Sequence, residues 1–157
     1  MTEHALSRNP TTGEILARYP LQNSAELEQT LTESASAFAA WKQSTMTDRI
    51  RVLRQLGEQI RLREQDLSRM ITLEMGKPIA QARAEVLKCA NLCDWYAEHG
   101  PAMLADQPTQ IADAWQRFRP IGVILAVMPW NFPLWQVLRG AVSMLLAGNT
   151  YLLKHAP

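Results

Sequence analysis

The sequence predicts an incomplete α/β fold in which N-terminal helices precede the first βαβ unit of a parallel sheet. Three observations lead there. Apolar residues recur at spacings of three and four across most of residues 23–99, the period of helices with one buried face. Charge then almost disappears: every acidic residue lies between Glu3 and Asp113, and from Pro120 to Leu153 the one charged side chain is Arg139. Inside that apolar stretch, two short runs of branched residues flank a helical segment, which is the order of a parallel crossover. Two strands with one crossover leave both sheet edges open, so the 157 residues read as the N-terminal portion of something longer.

Residues 6–20 form an extended lead-in. Asn9-Pro10-Thr11-Thr12-Gly13-Glu14 is a turn, punctuated by Pro and Gly, and Ile15, Ala17 and Tyr19 then alternate with Leu16 and Arg18 as in a short strand. Asn23 with Glu26 three residues on starts a helix that runs to about residue 42, with Leu27, Leu31, Ala35, Phe38 and Trp41 on one side. Asp48 opens a second helix carrying Ile50, Leu53, Leu56, Ile60, Leu67, Met70 and Ile71 inward, and Gly76 and Pro78 stop it. A third helix spans 79–99, with Ala82, Val86, Cys89, Cys93 and Tyr96 inward, and Gly100-Pro101 ends it. Residues 101–112 are a connection, and 114–119 a strand with Trp115, Arg117 and Arg119 on one side. The continuous apolar run 121–128 matches a strand buried on both faces. Pro129 to Pro133 is a rigid loop, 134–147 an apolar helix, Gly148-Asn149 a turn and 150–154 the second strand. No internal repeat or low-complexity tract interrupts this order.

Composition removes several classes of function. The chain is 47% hydrophobic and 20% charged, as soluble globular proteins are. Sixteen Lys and Arg against fifteen Asp and Glu give a net charge of +1, so no field draws it to nucleic acid or an anionic membrane. The apolar run from Gly140 to Leu153 has 14 residues, short of the roughly 20 a membrane helix needs. The first eight residues lack a signal-peptide core, so a cytoplasmic location is expected. Cys89 and Cys93 share a helix face and read as two small buried thiols; no His stands at ligand spacing, and no metal site is expected.

Open parallel sheets bind ligands beyond the carboxyl ends of their strands. That edge holds Met128-Pro129-Trp130-Asn131-Phe132-Pro133 after the first strand and Lys154-His155-Ala156-Pro157 after the second. An amide between stiff prolines is a well-placed hydrogen-bond donor, and a Lys at the next strand's end can reach ribose hydroxyls or phosphate. The Gly-x-Gly-x-x-Gly dinucleotide fingerprint is missing.

Arg-Pro-Ile-Gly-Val-Ile (119–124), Pro-Trp-Asn-Phe-Pro (129–133), Ala-Gly-Asn-Thr (147–150) and Leu-Leu-Lys (152–154) together resemble the aldehyde dehydrogenase family, as do Asn9 to Glu14 and Glu74-Met-Gly-Lys-Pro78. The matches run in order along the whole chain. They are most similar to bacterial succinate-semialdehyde dehydrogenases, through residues 91–100 and 153–157.

The resemblance implies the Rossmann-like fold of that family and oxidation of an aldehyde to an acid with NAD or NADP, most simply succinate semialdehyde to succinate. It implies Asn131 as the catalytic oxyanion donor and Pro129, Trp130, Asn131, Lys154, His155, Ala156 and Pro157 as cofactor-binding residues. Pro157 stands where NAD-preferring relatives often carry Glu, which leaves room for a 2′-phosphate. Arg139, a lone charge expected to need a buried partner, matches an Arg that grips the substrate carboxylate. An ion pair elsewhere or an exposed oligomer face is the alternative for Arg139.

The family's nucleophilic Cys and general-base Glu are expected beyond residue 157, and Cys89, Cys93, Glu74 and Glu98 match neither. The chain alone is therefore expected to be inactive, and to be poorly soluble through its open apolar surface. Residues 1–104 become the lead-in and helical part of a cofactor-binding domain, 105–119 a segment bridging subunits of a homodimer or homotetramer, and 120–157 the first βαβ unit, with the catalytic domain absent. The rival readings are a dehydrogenase of another aldehyde and a non-catalytic subunit-interaction module.

Overall fold

The computed structural model describes residues 4–156; Pro157 lies outside them. Its elements are β1 (His4–Arg8), β2 (Ile15–Pro20), α1 (Ser24–Trp41), α2 (Met46–Leu62), α3 (Glu64–Met75), α4 (Ile79–Met103), β3 (Gln107–Pro108), β4 (Trp115–Gln116), β5 (Val123–Val127), α5 (Trp135–Leu146) and β6 (Thr150–Lys154). The lead-in is an antiparallel hairpin, β1 against β2, where the pattern had shown only the second strand. Asn9 builds its turn, its Oδ1 accepting from the amides of Thr11 (2.9 Å) and Thr12 (3.3 Å). The capping box of α1 is present as expected: Asn23 accepts from the Glu26 amide (3.0 Å), and Glu26 accepts from that of Asn23 (2.8 Å).

Two helix boundaries differ from expectation. The single helix expected from 48 to 75 is broken at Arg63, whose backbone (φ −101°, ψ 16°) closes α2 and opens α3. The bend lets both halves lie along α4, with Leu53 and Ile60 from one and Ile71 from the other in a common core. Met70, expected inward, is exposed because Leu67 and Ile71 occupy that face. The second difference is α4, which runs through Gly100-Pro101 to Met103. Gly100 serves close packing rather than termination: a Cβ there would collide with the buried Leu146 side chain.

The core joins α2, α4 and α5 through Leu53, Val86, Cys89, Cys93, Val142 and Leu146. Against it lies the parallel pair β5–β6, in register from Val123↔Thr150 to Val127↔Lys154. The expectation that 121–128 is buried on both faces is corrected. Ala126 is buried, but Leu125 is 64% and Val127 69% exposed. Alternate residues of a strand face opposite ways, and only one face of β5 is covered by the described residues. The expected strand 114–119 shrinks to Trp115–Gln116, paired with Gln107–Pro108 in what had read as a connection. Leu27 and Leu31 of α1 are likewise exposed, so its apolar stripe is covered only toward Phe38 and Trp41.

The carboxyl end of α5 is fixed by Arg49, a buried residue of α2. Its guanidinium donates to the carbonyls of Leu146 (3.2 Å) and Lys42 (3.1 Å) and to Ser44 Oγ (3.0 Å), joining the ends of α5 and α1. Gly148 then turns the chain into β6 at φ 91°, directly beside that guanidinium. Asn149 ties the turn to the start of β5, its Oδ1 accepting from Ile121 (2.8 Å) and Gly122 (3.2 Å). An added Cβ at Gly148 would lie 2.7 Å from Arg49 Nη1 in a conformation L-residues resist. Gly148→Ala is therefore expected to cost about 1–3 kcal/mol in a urea unfolding titration; an unchanged midpoint would mean that the turn gives up its positive φ and that Arg49 moves aside.

Candidate functional site

The carboxyl edge of the sheet is extended by one bond beyond β5, from the Met128 amide to the Lys154 carbonyl (3.1 Å). Residues 129–133 and 155–156 therefore leave the sheet side by side. Prolines at both ends of the loop restrict φ. Next comes the amino end of α5, whose first turn contains no acid and whose preceding residue, Leu134, cannot cap it. Orphan amides at a helix start need an acceptor. Here Glu85 of α4 supplies it: Oε1 accepts from the amides of Leu134 (3.1 Å) and Trp135 (3.0 Å). Its other oxygen, Oε2, pairs with the ammonium of Lys77, and both side chains are almost wholly buried. The same ammonium sits 3.7 Å from the centroid of the Phe132 ring.

Neither Lys77 nor Glu85 stood out from the sequence as functional. The signal was present: Glu85 falls three after Ala82 and four before Cys89, on the inward stripe of α4 where an acid needs a partner. Lys77 lies between Gly76 and Pro78, in the segment whose Glu74 accepts a hydrogen bond from Ser7 Oγ (2.6 Å) and so holds the hairpin against α3.

Asn131 is exposed in the loop, and among the described residues its side chain has no hydrogen-bond partner. Lys154 is exposed at the end of β6, its Nζ donating to the His155 carbonyl (2.7 Å). Pro129, Trp130, His155 and Ala156 line one cleft of about 610 Å³, walled by Leu6 and Tyr19 of the hairpin and by Met70 of α3. Asn131 and Lys154 are outside this lining, as is Arg139. Arg139 is exposed on α5 and forms no ion pair among the described residues. The expectation that its charge is buried and requires a partner is thereby corrected, since water already solvates it. The edge thus offers an amide, an ammonium and an indole, with the one carboxylate of the cleft lining, Glu74, accepting a hydrogen bond from Ser7, a donor set suited to a ligand bearing hydroxyl and anionic groups. No three His, Cys, Asp or Glu side chains among the described residues come together to hold a metal ion, and no described helix is long and apolar enough to cross a membrane.

The sequence model of the aldehyde dehydrogenase family matches residues 2–157. The chain is 55% identical over 156 residues to the succinate semialdehyde dehydrogenase (NAD(P)+) Sad of Escherichia coli, a match covering 98% of this chain and 34% of that protein. It is 42% identical over 153 residues to succinate-semialdehyde dehydrogenase (NADP+) 1 of Mycobacterium bovis, covering 94% of this chain and 34% of the relative. Among solved structures, succinic semialdehyde dehydrogenase from Streptococcus pyogenes in complex with NADP+ as the cofactor superposes with a TM-score of 0.91 at 28% identity, over 96% of this chain and 34% of that one. The chain spans about a third of the length of these relatives.

Cys89 and Cys93 are wholly buried in the core, as the sequence suggested. Burial, with the charge of Glu85 nearby, pushes the Cys89 thiol up to about 12. Burial and Asp94 push Cys93 up to about 11. A protonated, enclosed thiol is a poor nucleophile. Ellman's reagent at about pH 8 is expected to label neither cysteine in the folded chain and both after denaturation. Because folding raises both values above 9.0, the thiols' contribution to stability is intact below that pH and is lost as pH climbs toward 11–12. Guanidinium midpoints should fall across that window.

Proposed function

Because the chain belongs to the aldehyde dehydrogenase family, we propose that it forms the cofactor-holding and carbonyl-polarising part of an enzyme that oxidises succinate semialdehyde to succinate with NAD(P)+. The observation that carries this reading is Asn131, an amide with no partner among the described residues in a loop anchored on both sides. Its Nδ2–H donates to the aldehyde oxygen as negative charge develops there during attack by a thiolate. A donor already in place needs no reorganisation, and this is why such groups lower barriers. The semialdehyde assignment is supported by the relatives of that name, at 55% and 42% identity.

Lys154, exposed at the strand end, holds ribose hydroxyls, with Pro129 and Trp130 behind the cofactor and His155, Ala156 and Pro157 in the adjoining loop. Bound NAD(P)+ supplies the hydride acceptor. Pro157, in place of a carboxylate, puts no charge against a 2′-phosphate, so NADP+ is accepted. Arg139, whose guanidinium has no carboxylate partner among the described residues, grips the distal carboxylate of the substrate. In this arrangement residues 1–104 and 120–157 build the cofactor side, and 105–119, with Trp115 and Phe118 exposed, bridges to a second copy of the enzyme.

Neither Cys89 nor Cys93 is the nucleophile, since both are sealed in the core. The 157 residues on their own are inactive, and the tests are made in the enzyme that contains them. Asn131→Ala is expected to lower kcat by about 10²–10³ with KM little changed; a kcat within twofold of the parent would remove Asn131 from the chemistry. For Arg139→Leu, kcat/KM with succinate semialdehyde is expected to fall about 10- to 100-fold while that with butanal is spared. Equal loss with both aldehydes would place Arg139 in the scaffold instead.

A further inference from the structure

An oxyanion donor works only if its loop holds it at one point, yet residues 129–133 form no backbone hydrogen bond with one another. We propose that Glu85, pinned by Lys77, is the positioning residue of this loop: its buried carboxylate fixes where Asn131 presents its amide, without touching substrate or cofactor. The proposal rests on the reading of Asn131 given above and adds to it the group that sets its geometry.

Three fixed points follow one another immediately after Asn131. Phe132 is held under the Lys77 ammonium, and Leu134 and Trp135 are held by the two bonds to Glu85 Oε1. On the other side, Met128 is held by Lys154. Asn131 therefore lies between anchors three residues before it and one residue after it. The pair is a poor device for stability alone. Two charges taken out of water lose most of what their attraction returns, and well-packed apolar residues often serve as well. What apolar residues cannot do is accept hydrogen bonds from two successive amides. A carboxylate on α4 can, and it transmits the rigid position of the core to the loop.

The test separates this role from plain support of the core. In Lys77→Met/Glu85→Leu the buried charges give way to apolar side chains of similar size, so the fold is expected to survive. The Leu134 and Trp135 amides then lose their acceptor. Their hydrogen exchange, measured residue by residue in the enzyme that contains the chain, is expected to rise about tenfold or more, while Val142 and Leu146 change less than about threefold. In the rescue variant Lys77→Met/Glu85→Gln an acceptor oxygen remains and no buried charge is left unpaired, so most of the protection at Leu134 and Trp135 is expected to return. Unchanged exchange at those two amides in Lys77→Met/Glu85→Leu would overturn the proposal. So would a rise spread evenly over α4 and α5, which marks simple loss of the core. Should Lys77→Met/Glu85→Leu fail to fold, Lys77→Met/Glu85→Met, which removes the same acceptor with a more adaptable side chain, decides, with the same local rise expected and a uniform or absent one fatal. Asn131→Ala leaves the exchange pattern unchanged, and its effect on turnover tests the oxyanion reading separately. In the enzyme containing the chain, Lys77→Met/Glu85→Gln is expected to lower kcat far less than Lys77→Met/Glu85→Leu; equal kcat in the parent and in Lys77→Met/Glu85→Leu would leave Glu85 no positioning role.

Discussion

Helix α5 begins and ends on buried charges that belong to other helices. At its amino end the Glu85 carboxylate accepts from two free amides, and at its carboxyl end the Arg49 guanidinium donates to the Leu146 carbonyl. Each charge has the sign that complements the helix dipole at that end. Helix α5 supplies neither, having no acid in its first turn and no base in its last. Everything at the carboxyl edge of the sheet hangs from this arrangement. The loop with Asn131 enters α5 at Glu85, and the turn into β6, which ends at Lys154, leaves it at Arg49.

The segment Glu74 to Pro78 acquires a physical meaning from the same contacts. Glu74 holds the N-terminal hairpin through Ser7, so that Leu6 and Tyr19 wall the cleft. Three residues later, Lys77 balances Glu85 and packs on Phe132. A stretch that looks like the frayed end of a helix thus ties the hairpin, the long helix α4 and the loop of the site to one another.

The βαβ unit was legible because its pattern is local: branched runs, prolines and a Gly-Asn turn placed β5, α5 and β6 within about two residues. The capping box of α1 was legible for the same reason. Where reading failed, the deciding partner was distant. The break at Arg63 and the passage of α4 through Gly100-Pro101 both serve packing between helices, Gly100 being small because Leu146 presses on it. The pattern of 121–128 showed an apolar strand but not which face the described residues cover. The candidate residues Asn131 and Lys154 came from motifs of a few residues. Glu85 and Lys77 did not, because the amides that Glu85 serves are 49 and 50 positions away in the chain.

That separation in sequence bears on how the fold can be taken apart. Residues 120–157 look like a portable module, with two strands, a helix and the loop carrying Asn131. Transplanted into another parallel sheet, they would bring the amide and leave behind the carboxylate that aims it. The smallest unit that carries the geometry reaches back to Lys77, and any recombination point drawn between α4 and β5 cuts through the site even though no residue of the cleft lies there.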